Sequence, residues 1–188
     1  LKTLMRKGVG KAPARPVGES DPGVVPPPPP AWLASAGPDL ARSARLTVRG
    51  PSPNDPAGWP LLNDGRADLN INSQRLVLRG SLPHDVEFAW DRPVTLGALR
   101  VVSGYAQAGR VSAPITDFVL QRRDGDAWTD IPGTTFTANA DPAAARTFPP
   151  VTTDRVRLRI TQAPEGISRL WEIELYGPVV GSSPTPAK

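Results

Sequence analysis

The stretch ITDFVLQRRDGDAWTDIPG, residues 115–133, decides the fold class, because a turn separates two strand-like runs within it. The turn is Asp124-Gly125, since glycine tolerates the positive φ that tight hairpin turns require. Strand-like residues flank this turn, with ITDFVLQRR (115–123) before it and Trp128 after it. We therefore predict a β-hairpin here.

Alternation of apolar and polar residues predicts more strands around this hairpin. In RVRLRIT (155–161) the three apolar residues point inward and the three arginines outward, a period of two that marks a half-buried strand. VEFAW (86–90) and WEIELYG (171–177) alternate in the same way, with Glu172 and Glu174 on the outward side. RTFPPV (146–151) carries two prolines and is expected to be short or at a sheet edge.

Helical signals are weak, with one or two turns expected at Pro38–Arg45 and around Ala143–Arg146. Short strands separated by Gly, Pro and Asp loops favour an antiparallel sandwich or barrel. Residues 1–30 hold eight of the 24 prolines, which predicts an extended linker that cannot bury a core. The predicted organisation is a linker or tail of an upstream domain at 1–30, a β-sandwich domain at 31–178 and a flexible tail at 179–188. Because the chain starts with Leu1, we expect a piece of a longer protein.

Charge and composition narrow the function classes. The net charge of +4 comes from residues 1–30 and Lys188, whereas residues 31–187 carry 16 Arg and 16 Asp or Glu. A neutral domain lacks the concentrated basic face of a nucleic-acid binder. The absence of cysteine excludes disulfides and thiolate chemistry. No apolar run has the length of a membrane span, and the first residues lack the apolar core of a signal peptide.

Five stretches in this order resemble the discoidin domain, also called the coagulation factor 5/8 type C domain, and its galactose-binding-like relatives among carbohydrate-binding modules. They are ARLTVRG (44–50), LLNDGR (61–66), HDVEFAWDRPVTLGALRVVSGY (84–105), the hairpin stretch (115–133) and RVRLRIT with RLWEIELYG (155–161, 169–177). The resemblance covers residues 40–177. It implies an all-β, antiparallel jelly-roll β-sandwich of eight strands, usually an appended, secreted module.

In this family the first loop and the last strand often hold a structural Ca²⁺. The resemblance maps the ligands onto the Asp64 and Glu172 carboxylates and the carbonyls of Leu61, Arg66 and Trp171. Calcium prefers six to eight such oxygens. The family usually has Thr or Ser five residues after the Asp, where this chain has Leu69. The alternative is a plain turn at Asn63-Asp64-Gly65, with Glu172 solvated or paired to an arginine.

Sugar-binding relatives place an Arg and an Asn in the loop that here reads SGYAQAGRVSAP (103–114). A tyrosine platform at Tyr105 with Gln107 and Arg110 could serve instead, although the family's spacing is not kept. Asn72, Arg75 and Trp59 are further rim candidates, and Glu165 and Arg169 lie in another rim loop. Any of these groups could equally be solvated loop residues. We expect Trp90, Trp128 and Trp171 to be core.

Catalysis within this chain is not expected. The single histidine, His84, is followed by Asp85, but no nucleophile motif, phosphate loop or zinc spacing accompanies it. A paired-carboxylate hydrolase cannot be identified from sequence.

Two functions remain open. The first is a non-catalytic, monomeric carbohydrate-binding accessory module that binds a glycan or polysaccharide through its rim loops. It would be covalently linked to a catalytic or anchoring domain of a secreted bacterial protein, hence extracellular, periplasmic or at the cell surface. The second is a structural or protein-interaction module that packs on its parent enzyme without binding a glycan.

Overall fold

The computed structural model describes residues 23–49 and 56–179. Most of the predicted linker and nearly all of the predicted tail lie outside these residues. Strands dominate the described part, and its helices are short 3₁₀ turns. The strands are β1 Arg45–Arg49, β2 Leu76–Leu78, β3 His84–Ser103, β4 Tyr105–Gln107, β5 Arg110–Ser112, β6 Asp117–Asp124, β7 Ala127–Asp130, β8 Ala143–Gln162 and β9 Ser168–Tyr176. The 3₁₀ turns are Ala31–Ser35, Leu40–Ser43, Pro56–Leu62, Asn72–Gln74 and Pro164–Gly166. None of the helices among the described residues has the length and hydrophobicity of a membrane span.

Two strands of 20 residues each, β3 and β8, build both layers of the fold. The first half of β3 lies between β1 and the second half of β8, which in turn pairs with β6 of the predicted hairpin. The second half of β3 lies between β9 and the first half of β8. All these pairings are antiparallel, so the chain forms the predicted antiparallel jelly-roll β-sandwich.

Irregular pairing lets β3 and β8 pass from one layer to the other. Their register shifts between Ala89 and Val94 and again between Leu96 and Ala98. Pro149 and Pro150 lie opposite the second shift, where they interrupt no regular ladder. The strand at 146–151 is not short, because a bulge accommodates the prolines within a long strand. It does lie at a free edge as predicted, since this half of β8 pairs only with β3. The expected helical turn at Ala143–Arg146 was wrong, since these residues begin β8.

The core confirms the alternation seen in the sequence. Val156, Leu158 and Ile160 are fully buried between the layers. On the opposite face of β8, Arg157 and Arg159 lie 3.3 and 3.4 Å from the Asp85 carboxylate. Inner-face residues of both layers join one hydrophobic cluster.

Trp128 is not a core residue, although Trp90 and Trp171 are. The hairpin turn pairs Arg123 with Trp128, and residues directly opposite one another share a sheet face. Trp128 is therefore half-buried on the outer face, with the guanidinium carbons of Arg157 and Arg123 at 4.6 and 5.5 Å from its ring centroid. The prediction that Trp128 is core failed because the register of the β6–β7 hairpin decides which sheet face Trp128 occupies, and the geometry of the turn sets that register.

The packed part of the chain begins before the predicted boundary at residue 31. Val24 is only 7% exposed and joins a second cluster with Leu69 and Trp171. Its backbone N–H donates to Asn70 Oδ1 at 3.2 Å. Beyond the prolines, the Trp32 ring meets Tyr176 edge to face at 5.6 Å. Residues 23–32 thus contact the domain at both ends of the polyproline run.

Candidate functional site

Three loops meet in a polar cluster at one end of the sandwich. Asn72 fixes two of them, because its side chain accepts from the Ala106 N–H and donates to the Ala106 carbonyl, both at 2.9 Å. The Asn72 oxygen also accepts a hydrogen bond from the Arg75 guanidinium. The 70–75 loop and the β4–β5 hairpin therefore form one continuous surface.

Arg75 and Arg169 both contact the Tyr105 ring. Their guanidinium carbons lie 5.5 and 5.2 Å from the ring centroid, distances at which cations are attracted to an aromatic face. Arg75 also lies 5.9 Å from the Trp171 ring, and Arg169 forms a 2.8 Å ion pair with Glu165. Burial lowers the pKa of Arg75, and the neighbouring charge of Arg169 lowers it further. We name Asn72, Arg75, Tyr105, Gln107 and Arg169 the rim cluster.

The remaining predicted sugar contacts are Gln107 of this cluster, Arg110 and Trp59. Gln107 accepts a 2.8 Å hydrogen bond from the Tyr105 hydroxyl. Arg110 is exposed at the start of β5, and the described part of the chain offers its side chain no hydrogen bond. Trp59 lies elsewhere, half-buried beside Leu46, Pro60 and Asn63 in a cleft of about 380 Å³. The structure therefore groups Tyr105, Gln107, Asn72 and Arg75 and separates Trp59 from them.

Arg169 belongs to this group although it lies far along the chain, at the start of β9. Antiparallel pairing of β9 with β3 places Leu170 opposite Ser103, next to the β4–β5 hairpin. The Arg169 carbonyl accepts a hydrogen bond from the Gly104 N–H at 2.8 Å. The polar composition of residues 161–169 was the only sequence signal for this contact.

Gly104 directs the chain into the hairpin that carries Tyr105. Its φ is +114°, a conformation that side-chain-bearing residues rarely adopt, and a Cβ there would lie 2.6 Å from the Ser112 carbonyl oxygen. We expect Gly104→Ala to lower the free energy of unfolding by about 2 kcal/mol or more, from strain and overpacking together. Urea unfolding measures this loss. Gly125→Ala is the matched control, because its φ is also positive but its Cβ would meet open space. Equal losses in both variants would contradict the steric argument.

The predicted calcium ligands Asp64 and Glu172 converge on the turn at residues 63–66. Glu172 Oε1 accepts a hydrogen bond from the Gly65 N–H at 3.0 Å, and Asp64 Oδ1 accepts one from the Arg66 N–H at 2.8 Å. Glu172 faces this loop, as its outward parity predicted, but it is completely buried, so the solvated position of the plain-turn alternative was wrong. The reason is that the 63–66 loop covers this side of β9.

Glu172 has the chemistry of a cation ligand without its counter-charge. Its Oε2 atom is buried and has no hydrogen-bond partner in the described part of the chain. Burial raises the pKa of Glu172 to about 8, and the negative charges of Asp64, Asp39 and Glu174 add to the rise. The Arg42 guanidinium packs against Gly65, but it does not offset the rise in the pKa of Glu172. A buried, orphaned carboxylate oxygen of this kind fits a bound cation.

Carbonyl oxygens would have to complete such a site. Residues 23–49 and 56–179 contain no cluster of three or more acidic or histidine side chains suited to a metal. The Leu61, Arg66 and Trp171 carbonyls remain the predicted further ligands. Leu69, which replaces the family's hydroxyl residue, is instead buried against Trp171. The plain turn and the cation site are thus both compatible with the loop.

The surroundings of His84 indicate a structural role for this residue. It is fully buried, and its Nδ1 lies 2.9 Å from the Ser168 hydroxyl, across from the start of β9. Burial lowers the pKa of His84, which favours the neutral ring. A general base must reach the substrate proton that it abstracts, and a fully buried ring does not.

Comparisons with solved structures show the same fold. Chitosan-binding module 2 of a Paenibacillus sp. IK-5 chitosanase/glucanase, solved with chitotriose, has a TM-score of 0.59 and 18% identity over 74% of this chain and 100% of that chain. The family 32 carbohydrate-binding module of C. perfringens NanJ, solved with galactose, has a TM-score of 0.57 and 13% identity over 73% and 97%. SpGH29 has a TM-score of 0.58 and 20% identity over 75% of this chain.

This chain spans only 28% of the length of the SpGH29 chain. No protein-family model matches the sequence, and no curated protein sequence matches it significantly. The similarity therefore establishes a galactose-binding-like β-sandwich, the fold of these carbohydrate-binding modules. A shared fold at such identities does not determine function.

Proposed function

We propose that this chain is a non-catalytic carbohydrate-binding module whose rim cluster binds a glycan. The observation that carries the proposal is the convergence of Asn72, Arg75, Tyr105 and Arg169 from three loops on one surface. Planar amide and guanidinium groups beside an aromatic ring are the chemistry that fixes sugar hydroxyls and packs against their C–H faces. Two of the structurally similar modules were solved with chitotriose and galactose.

The proposal extends to the setting of the module. Linkage to a catalytic or anchoring domain would raise the effective concentration of a weak glycan site, as tethering does generally. The solved modules of this fold include parts of a chitosanase/glucanase and of NanJ. An extracellular, periplasmic or cell-surface location is the proposal consistent with polysaccharide ligands. We also propose that Ca²⁺ is held by Asp64 and Glu172 with the Leu61, Arg66 and Trp171 carbonyls. Its charge there would hold the 63–66 loop against Glu172.

A glycan-binding measurement on the full chain tests this function. We expect binding to a glycan array that includes chitotriose and galactose, with isothermal titration giving a Kd near the millimolar range. Tyr105→Ala and Arg75→Gln should each weaken binding by about tenfold or more, because each removes a contact group at the centre of the cluster. Arg155→Gln is the matched control, since Arg155 is exposed on the outer face of β8, and it should bind normally.

Results of the array decide between the two functions. Glycan binding that survives both rim variants would support a sugar-binding module but contradict the proposal that the rim cluster is its binding site. No binding to any glycan, with or without calcium, would favour the structural or protein-interaction module. The stacking of two arginines on the Tyr105 ring supports that alternative, because it reduces the ring area open to a sugar. Against it, the only large hydrophobic side chain exposed among the described residues is Val25, so an apolar docking patch is lacking there.

A further inference from the structure

A second polar cleft lies between the loop that follows β7 and the free edge of β8. Its volume is about 240 Å³, and it is lined by Thr135, Phe136, Thr137, Asn139, Asp141 and the start of β8 from Ala144 to Arg146. The first half of β8 pairs only with β3, so its other edge borders the cleft. None of these residues belongs to the rim cluster or to the loop of the proposed cation site.

A three-layer stack holds the Arg146 guanidinium in place. The Phe136 ring stacks on Phe118 at 4.4 Å, with the ring planes 12° apart. The Arg146 guanidinium carbon lies 4.0 Å from the Phe136 centroid, and its Nη1 donates to the Thr135 carbonyl at 2.7 Å. Nε and Nη2 make no hydrogen bond within the described part of the chain. They are not among its buried, unsatisfied atoms, so they remain accessible donors at a fixed position.

Hydrogen bonds also fix Asn139 and Asp141 in the lining of the cleft. Asn139 Nδ2 donates to the Ile115 and Asp141 carbonyls at 2.9 and 3.0 Å, and its Oδ1 accepts from the Asp141 N–H. Asp141 Oδ1 accepts from the Ala143 N–H at 2.8 Å, which leaves Oδ2 as an exposed acceptor. Ala138, which precedes Asn139, has a φ of +49°, a strained conformation for alanine. Strain maintained by surrounding contacts is common at ligand sites.

We propose that this cleft is a second saccharide site, which takes one hydroxyl-rich sugar unit. A fixed guanidinium donor and a carboxylate acceptor on one small cleft suit a sugar hydroxyl pair, which accepts from one group and donates to the other. The two opposite charges offset each other, so the cleft favours a neutral ligand over an ion. Its volume is below the 300–1,000 Å³ typical of drug-sized ligands, which suits one ring. The ligand class, though not the site, rests on the proposed function.

Amide NMR on the full chain, titrated separately with galactose and chitotriose, tests this site independently of the rim. We expect saturable shift changes at Thr135–Arg146 with at least one sugar, and these changes should persist in Tyr105→Ala. Asp141→Asn keeps the acceptor for the Ala143 N–H but turns the exposed acceptor into a donor. It should raise the Kd obtained from these shift changes by about tenfold or more. Asp154→Asn, an exposed β8 carboxylate, is the control and should change nothing.

Each outcome supports or contradicts a specific claim. Shifts confined to the rim cluster would overturn the second site and leave the proposed function standing. Shifts at the cleft alone would support the second site and contradict the rim cluster. No shifts from either sugar up to about 10 mM, a concentration that detects millimolar affinity, would count against both. Cleft shifts that Asp141→Asn leaves unchanged would also overturn the second site as described. Arg146→Lys, which keeps the charge but not the planar fork, should weaken cleft binding as well.

Discussion

Glu172→Gln should abolish stabilisation by Ca²⁺ and, in calcium-free buffer, stabilise the protein above neutral pH. The buried Glu172 carboxylate has one orphaned oxygen, and its folded-state pKa is about 8 against an ordinary value of 4.5. A tenfold change in a protonation equilibrium corresponds to about 1.4 kcal/mol, so allowing for relaxation we expect a gain on the order of 2–4 kcal/mol at pH 8. Urea unfolding of both proteins in a chelator measures it.

The pH dependence follows from the direction in which folding moves this pKa. A carboxyl whose pKa is raised on folding binds its proton more tightly in the native state. Its contribution is therefore fully present below the ordinary pKa of 4.5 and is lost as pH rises towards about 8. Without calcium, the free energy of unfolding of the unmodified protein should fall across this window. In Glu172→Gln that component of the slope should disappear, because glutamine does not titrate.

Calcium should restore the free energy of unfolding of the unmodified protein at pH 8, because a ligand that binds only the native state raises its stability. Asp68→Asn is the control, because Asp68 is an exposed carboxylate in the same region whose Oδ1 caps the Asn70 N–H. It should retain both the calcium response and the slope. A full calcium response in Glu172→Gln would remove Glu172 from the proposed ligand set.

Trp171→Ala should produce the largest loss of stability among the tryptophan variants and should disorganise the rim cluster. Trp171 is fully buried, its Nε1 donates to the Ile71 carbonyl at 2.9 Å, and Arg75 lies against its ring. Truncating a buried Trp costs about 3–5 kcal/mol, from lost burial and the cavity left behind. Chemical unfolding measures the loss, and amide NMR reports displacement of the 70–75 loop.

Trp128→Ala is the matched comparison, because this tryptophan is half-buried on the outer face. It loses the contacts with Arg123 and Arg157, which are worth about 0.5–1 kcal/mol each at exposed sites. We therefore expect a loss about half that of Trp171→Ala or less. Similar losses in both variants would show that Trp128 supports the core after all.

The strands could be predicted wherever local alternation alone decided burial. Val156, Leu158 and Ile160 show the period of two and are buried accordingly. Trp128 required the hairpin register, which depends on the geometry of Asp124-Gly125 as well as on its composition. The prolines at 149–150 correctly indicated a free edge, whereas the bulge that keeps them within a long strand has no local sequence signal.

The candidate site could be predicted only where the residue type and the loop position identified a residue. Tyr105 and Asn72 were identified from residue type and loop position, and the structure joins their loops through the bonds to Ala106. Arg169 reaches the same cluster only through the pairing of β9 with β3, a long-range contact that no local pattern encodes. The cleft beside Arg146 was missed because residues 143–146 were expected to be helical.

The passage of β3 and β8 through both layers has a consequence for how the protein opens. Each strand contributes ladder hydrogen bonds to both layers, so unfolding either strand completely breaks bonds in both layers. Local opening is governed by such shared contacts. Amide hydrogens in the middle of β3 and β8 should therefore exchange at a single, slowest rate set by global unfolding. Those of β4 and β5, a separate two-stranded ribbon, should exchange earlier through independent fraying.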